Sequence, residues 1–174
     1  MSNQWFVYDD ELDLNQQQFE KMFQQVMNQN PSLKQVMTKV KAVFLLSDWP
    51  SFSMIKPTLF SLGMKEENID LDIRTYESDH WRGVCYVYHG VIVLNLFEII
   101  RGSFSLPQAK NNDDYHFLRQ ICFWETLFHE IRHVEQFNFP LSYTDEEEDA
   151  DQYGREMYTH YIEPMNERLI VALN

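Results

Sequence analysis

The sequence predicts an α+β domain in which N-terminal helices and a small mixed sheet of three or four strands pack on a C-terminal helical hairpin. Three observations carry this. Apolar residues recur at helical spacing near the N-terminus, short β-branched runs fill the middle, and from about residue 115 the pattern is helical. With 174 residues and no repeat, linker or break in composition, the chain reads as one domain over 1–174.

The elements follow in order. From Leu14 to Asn28 a Gln-rich stretch places Phe19, Met22, Phe23 and Val26 on one face of an amphipathic helix. Asn30-Pro31 reads as an N-cap followed by proline at the first position of a second helix. Val40 to Leu46 has the composition and length of a strand, which Asp48-Trp-Pro-Ser breaks. A helix over Ser53 to Met64 is expected, with Gly63 near its end and Pro57 confining it to a late start. Ile69, Leu71, Ile73 and Thr75 alternate with charged residues as a half-buried strand. Val84 to Tyr88 and Val91 to Leu96 flank His89-Gly90 and predict a hairpin. The polar stretch Ser103 to Asp114 predicts a mobile surface loop. Phe117 to Phe137 is apolar nearly all round, the mark of a buried helix, and its polar residues Thr126, His129, His133 and Gln136 fall in one strip. Cys122 lies on that strip and reads as a small core residue.

Composition narrows the function. At 44% hydrophobic and 24% charged, the chain is ordinary for a globular domain. Lys plus Arg total 14 against 27 Asp plus Glu, a net charge of −13, and no basic cluster exists to neutralise phosphates, so neither nucleic acid nor an anionic membrane is an expected partner. Two cysteines are too few for a disulfide scaffold or a Cys-ligated zinc site. The N-terminus is acidic within ten residues and does not read as a signal peptide, and no run of 18 apolar residues occurs. The expectation is a cytoplasmic protein, with an oligomeric state that the sequence leaves open.

The informative segment is Trp124-Glu-Thr-Leu-Phe-His129-Glu130-Ile-Arg-His133, which contains His-Glu-x-x-His. Residues four apart share one helix face, so His129 and His133 can reach one small ion, while Glu130 sits at the edge of that face to act on something the ion holds. A catalytic zinc site needs a third protein ligand. If a second helix returns antiparallel around Pro140, Glu147 faces His133 and Asp151 faces His129, since each pair is equidistant from the proline. Glu147 then becomes the third ligand, with Glu146 and Glu148 as alternatives, and Asp151 can accept the free N–H of His129. Helical phase puts Glu147 and Asp151 on one stripe with Ala150, Gly154, Tyr158, Tyr161 and Met165. Gly154 on that stripe would let the two helices approach closely. Two blander readings compete: a solvated acidic helix start, and a capping box of Thr144 with Glu147.

His-Glu-Ile-Arg-His, followed fourteen residues after His133 by the Glu147 of Glu-Glu-Asp-Ala-Asp, resembles the gluzincin class of zinc metallopeptidases, which pair His-Glu-x-x-His with Glu-x-x-x-Asp on a following helix. In size and element order the chain is similar to the compact ImmA/IrrE-like bacterial or phage peptidases. The likeness covers about residues 90 to 162, with metal-site helices over 115–163, and 1–82 carries no resemblance. It departs in Arg132, where a small Gly is usual, in the short gap to the third ligand, and in Asp149-Ala-Asp-Gln-Tyr-Gly. The resemblance implies a zincin-like fold and one zinc ion held by His129, His133 and Glu147. Glu130 would be the general base toward a water at the ion, and a peptide or protein the substrate. It also implies an oxyanion donor, for which Tyr158, Tyr161 and His160 are candidates. The peptide would extend along an edge strand, for which Val91–Leu96 is the expected choice. Two alternatives differ in class. One is an inactive zincin-like regulatory or binding module whose metal is structural or absent, with Cys122 or His116 closing the fourth position. The other is a metal-free acidic mimic of nucleic acid, in which His129 and His133 would point apart.

Overall fold

Every residue of the two central strands is buried, so helices must cover the sheet on both faces. The computed structural model describes residues 5–8, 15–47, 52–69, 80–104 and 112–166. One mixed sheet contains β1 (Phe6–Tyr8), β2 (Ala42–Leu46), β3 (Gly83–Tyr86) and β4 (Val91–Asn95), in the order β1-β2-β4-β3. β1 and β4 each pair parallel with β2, and β3 runs antiparallel to β4. Alternation divides the side chains. Val43, Leu45, Ile92 and Leu94 enter one core with Phe6, whereas Ala42, Phe44, Leu46, Val91 and Val93 enter another.

The first core is the larger. α1 (Gln16–Gln29) and α2 (Pro31–Met37) supply Phe19, Phe23, Val26, Leu33 and Met37 to it. Both helices start on asparagine caps: Asn15 accepts from the Gln18 N–H and Asn30 from the Leu33 N–H, at 3.1 and 3.0 Å. α3 (Phe52–Ser61) covers the opposite face, with Ile55 and Leu59 in the second core. After the sheet come α4 (Leu96–Phe104), the long α5 (Asn112–Asn138) and α6 (Glu146–Met157), which passes into a π-helical turn, Tyr158–Ile162. α5 is the wall of the first core: Trp124 packs tilted on Phe19 and Phe128 stacks on Phe23 of α1, and Leu127, Ile131 and Val134 are fully buried. Fully burying one such apolar side chain stabilises the fold by about 1.5–3 kcal/mol, and this surplus holds α5 in place while its opposite strip stays polar.

α1, α2, β2, the β3–β4 hairpin and the helical C-terminal third agree with the sequence reading. Four points differ. Val91–Asn95 is an interior strand, flanked by β2 and by its hairpin mate β3, and the edges are β1 and β3. The fourth strand is β1, too short to show periodicity. α3 starts within one residue of the expected Ser53 and keeps Pro57 inside it, so the proline does not delay its start, because one missing helical hydrogen bond costs less than burying Ile55 and Leu59 returns. Leu96–Phe104 is a helix that the sequence reading left unassigned. Of the strand expected over 69–75, Ile69 closes a helical turn at 66–69 and the rest lies outside the described residues, as do the strand breaker at 48–51 and most of the loop expected over 103–114. No helix among the described residues is long and apolar enough to cross a membrane.

Candidate metal centre

α5 and α6 form an antiparallel hairpin around Pro140, and its close approach rests on Gly154. A Cβ there would stand 2.6 Å from the carbonyl oxygen of Glu125 on α5. α6 starts on Asp145, whose carboxylate accepts from the Glu147 and Glu148 N–H groups at 3.0 Å each. Thr144 is therefore not the cap, and the capping-box reading is set aside. Asp145 does that work one residue later, which leaves the Glu147 side chain free.

Glu147 turns toward α5. Its Oε1 lies 3.5 Å from His133 Nε2 and its Oε2 3.5 Å from His129 Nε2, while the two Nε2 atoms stand 3.0 Å apart. Among the described residues these three side chains form the group whose ligand atoms lie close enough together for one metal ion. Two ligands of a tetrahedral ion with arms of ~2.0–2.1 Å stand roughly 3.3 Å apart, and the observed separations bracket that value. Neither Glu146 nor Glu148 joins the group. Cys122 does not join it either, and the side chain of His116 lies outside the described residues.

The protons on the rings are accounted for. His129 Nδ1–H donates to Asp151 Oδ1 at 2.9 Å, the pairing that the hairpin arithmetic expects. His133 Nδ1–H donates to Gln136 Oε1 at 2.8 Å. The Gln136 amide is itself fixed, because its Nε2 donates to the Glu146 carbonyl and to Asp149 Oδ2, both at 2.9 Å. In a neutral ring whose Nδ1 donates, Nε2 is the lone-pair atom, so this tautomer turns both Nε2 atoms toward one another and toward a carboxylate. Burial, with His133 beside it, holds the His129 imidazole below its ordinary pKa despite Asp151 and Glu147. It is neutral at pH 7 and ready to ligate. This convergence runs against the nucleic-acid mimic, which needs the imidazoles apart.

Gln136 has an orienting role the sequence reading did not give it, though its place three residues after His133 was visible. A second connection also went unforeseen. Arg132 donates from Nε and Nη2 to Asp149 at 2.7 and 3.1 Å and from Nη1 to Glu135 at 2.6 Å, and Glu135 accepts from Ser32 of α2 at 3.1 Å. The residue that departs from the gluzincin pattern thus latches α5 to α6.

Glu130 stays outside the ligand trio. It is 6% exposed and packs against the backbone of β3, where a Cβ on Gly83 would meet its Oε1 at 2.6 Å. Burial, with the charge of Glu147 adding, pushes its carboxyl up to about 8. It faces an open cleft of about 630 Å³ shared by His129, His133, Gln136, Phe137, Glu147 and the β3 residues Gly83 to Cys85. Burial also pushes the Cys85 thiol up, so it stays protonated and is no nucleophile. The Asn95 N–H bonds the Arg82 carbonyl, so by antiparallel alternation the peptide groups of Gly83 and Cys85 point outward, away from β4. No strand among the described residues pairs with that edge.

The three oxyanion candidates lie elsewhere. Tyr158 is buried in the first core, while His160 and Tyr161 meet edge to face along a separate groove beside Tyr153 and Arg155. None of them lines the cleft of Glu130. Tyr158 keeps the α-helical phase and is buried by it. Beyond it the Glu163 N–H bonds the Tyr158 carbonyl, five residues back, which rotates Tyr161 off that phase. Comparison of the chain with protein-family models, curated proteins and solved structures finds no match.

Proposed function

We propose that this protein is a zinc-dependent peptidase with a zincin-like catalytic hairpin, hydrolysing a peptide bond in an extended segment laid along β3. One observation carries the reading: His129 Nε2 and His133 Nε2 stand 3.0 Å apart, and the two Glu147 oxygens lie 3.5 Å from them, close to the spacing of ligands around one ion. Two neutral imidazoles and one carboxylate suit zinc. Zinc, when bound, polarises a carbonyl and makes a water more acidic.

The chain's own groups supply the rest. Asp151 and Gln136 hold the imidazoles in the tautomer that ligates. Glu130, kept from ligating by its place under Gly83, takes the proton of the attacking water and passes it to the leaving amine. A carboxyl whose proton affinity lies near the working pH can do both. The outward peptide groups of Gly83 and Cys85 offer main-chain hydrogen bonds to a substrate strand, so β3 takes the role expected of Val91–Leu96.

The test has two readouts. Elemental analysis of the purified protein should find one zinc per chain. Glu130→Gln should keep that zinc while lowering hydrolysis of a mixed peptide library by at least about 10²–10⁴-fold, the share general base catalysis supplies. A variant that retains activity refutes the assignment. Zinc without any cleavage by the parent protein favours the non-catalytic binding module.

A further inference from the structure

A second cleft, of about 300 Å³, opens on the other side of His129 and Glu130. It shares Trp81, Gly83, His129 and Glu130 with the larger cleft, so a segment extended along β3 through the metal centre runs from one into the other. The chemistry of the two differs. Arg82, at the foot of β3, and Arg155, on α6, both line the smaller cleft, together with Thr126, Glu125 and Asp151.

These arginines contrast with Arg132. Arg132 spends its guanidinium on Asp149 and Glu135. No hydrogen bond or ion pair holds the Arg82 or Arg155 side chain among the described residues. They act on Glu125 only through the field, each offsetting part of the burial that raises its pKa. Asp151 is already engaged by His129. With a divalent ion in place, the ion and the two guanidiniums balance the carboxylates of Glu125, Glu130, Asp151 and Glu147, so the placement of the guanidiniums, rather than a net charge, is what would hold an anion. A guanidinium presents a fork of N–H donors that matches a carboxylate. The chain as a whole carries −13, so its long-range field repels anions and this attraction is local.

We propose that the Arg82–Arg155 cleft binds a carboxylate of the substrate, adjoining the scissile bond. The inference rests on the peptidase reading and adds the substrate class. The carboxylate comes either from an acidic side chain or from the free C-terminus.

The test uses peptide hydroxamates, which grip the metal and need no turnover, titrated calorimetrically into the zinc-loaded protein. One matched pair differs by Glu against Gln at the residue entering the smaller cleft, and a second by a C-terminal carboxylate against a carboxamide. The pair whose carboxylate is the true ligand should show about tenfold tighter binding of the charged member. The preference should fall to near unity in Arg82→Gln/Arg155→Gln, and only in part in Arg82→Lys, while zinc content and binding of the neutral probes stay unchanged. Equal affinities within both pairs, or a preference that survives in the double variant, overturn the subsite. A protein that discriminates the probes but cleaves no peptide overturns the peptidase reading alone. One that takes up no zinc overturns both.

Discussion

Two clusters of polar side chains join α5 to α6, and they are satisfied in opposite ways. In the latch, the Arg132 guanidinium meets the carboxylates of Asp149 and Glu135 at 2.6 to 3.1 Å, donors against acceptors. Beside it, His129, His133 and Glu147 meet acceptor against acceptor at 3.0 to 3.5 Å. Both use the same pair of helices and the same Gly154 contact. The first cluster is complete as it stands and serves the fold. In the proposed function the second is completed by a cation, whereas the first needs none. Gln136 belongs to both, since its amide touches Asp149 on one side and His133 on the other.

The contrast can be broken most severely at the ligands. His133→Ala or Glu147→Ala should reduce zinc from one per chain to near none by elemental analysis and abolish hydrolysis. The melting temperature of the metal-free protein should hold or rise, because a repulsive partner is gone. A large fall in metal-free stability would show the cluster to be structural. Gln136→Ala comes next. Losing a partner that orients a metal ligand costs about 10–100-fold in affinity, measurable by competition with a chelator, with the ligands themselves intact.

The latch should respond in stability instead. Asp149→Asn removes a charge-assisted pair and should cost about 1.5–3 kcal/mol in denaturant unfolding of the metal-free protein. Its pH dependence has a definite sign. The hydrogen bond from Arg132 holds the Asp149 carboxyl below its ordinary pKa. Its contribution is present above the unfolded carboxylate pKa of about 3.9 and is lost as pH falls through the lower folded value. The gap between parent and variant should therefore close in strong acid. The smallest effect belongs to Glu148→Ala, on the solvent side of α6, where stability should change by less than about 0.5 kcal/mol and zinc content not at all.

The candidate metal hairpin was legible because it is local. His129 and His133 share a face by helical period, and Pro140 sets the register that brings Glu147 and Asp151 across. The rest depends on distant or irregular structure. Which strand lies at the edge follows from the pairing of β4 with β2, some fifty residues away, and no alternation in Val91–Leu96 reports it. Tyr161 was placed by a 100° step that the π-helical turn interrupts, so Ile162 is buried where Tyr161 was expected. Asp145 and Thr144 are both good caps, and only the chain's path chooses between them. The arginine latch needs α2, α5 and α6 together before it exists.

One helix carries the imidazoles on one strip and the aromatic stack of Trp124 and Phe128 on the other. The chemistry and the interior of the molecule are thus two sides of one rod. Heat cannot loosen the stack and spare the imidazoles, so under the proposed function the temperature at which hydrolysis fails and the temperature at which the chain melts should be one number, with no warm, inactive yet folded interval between them.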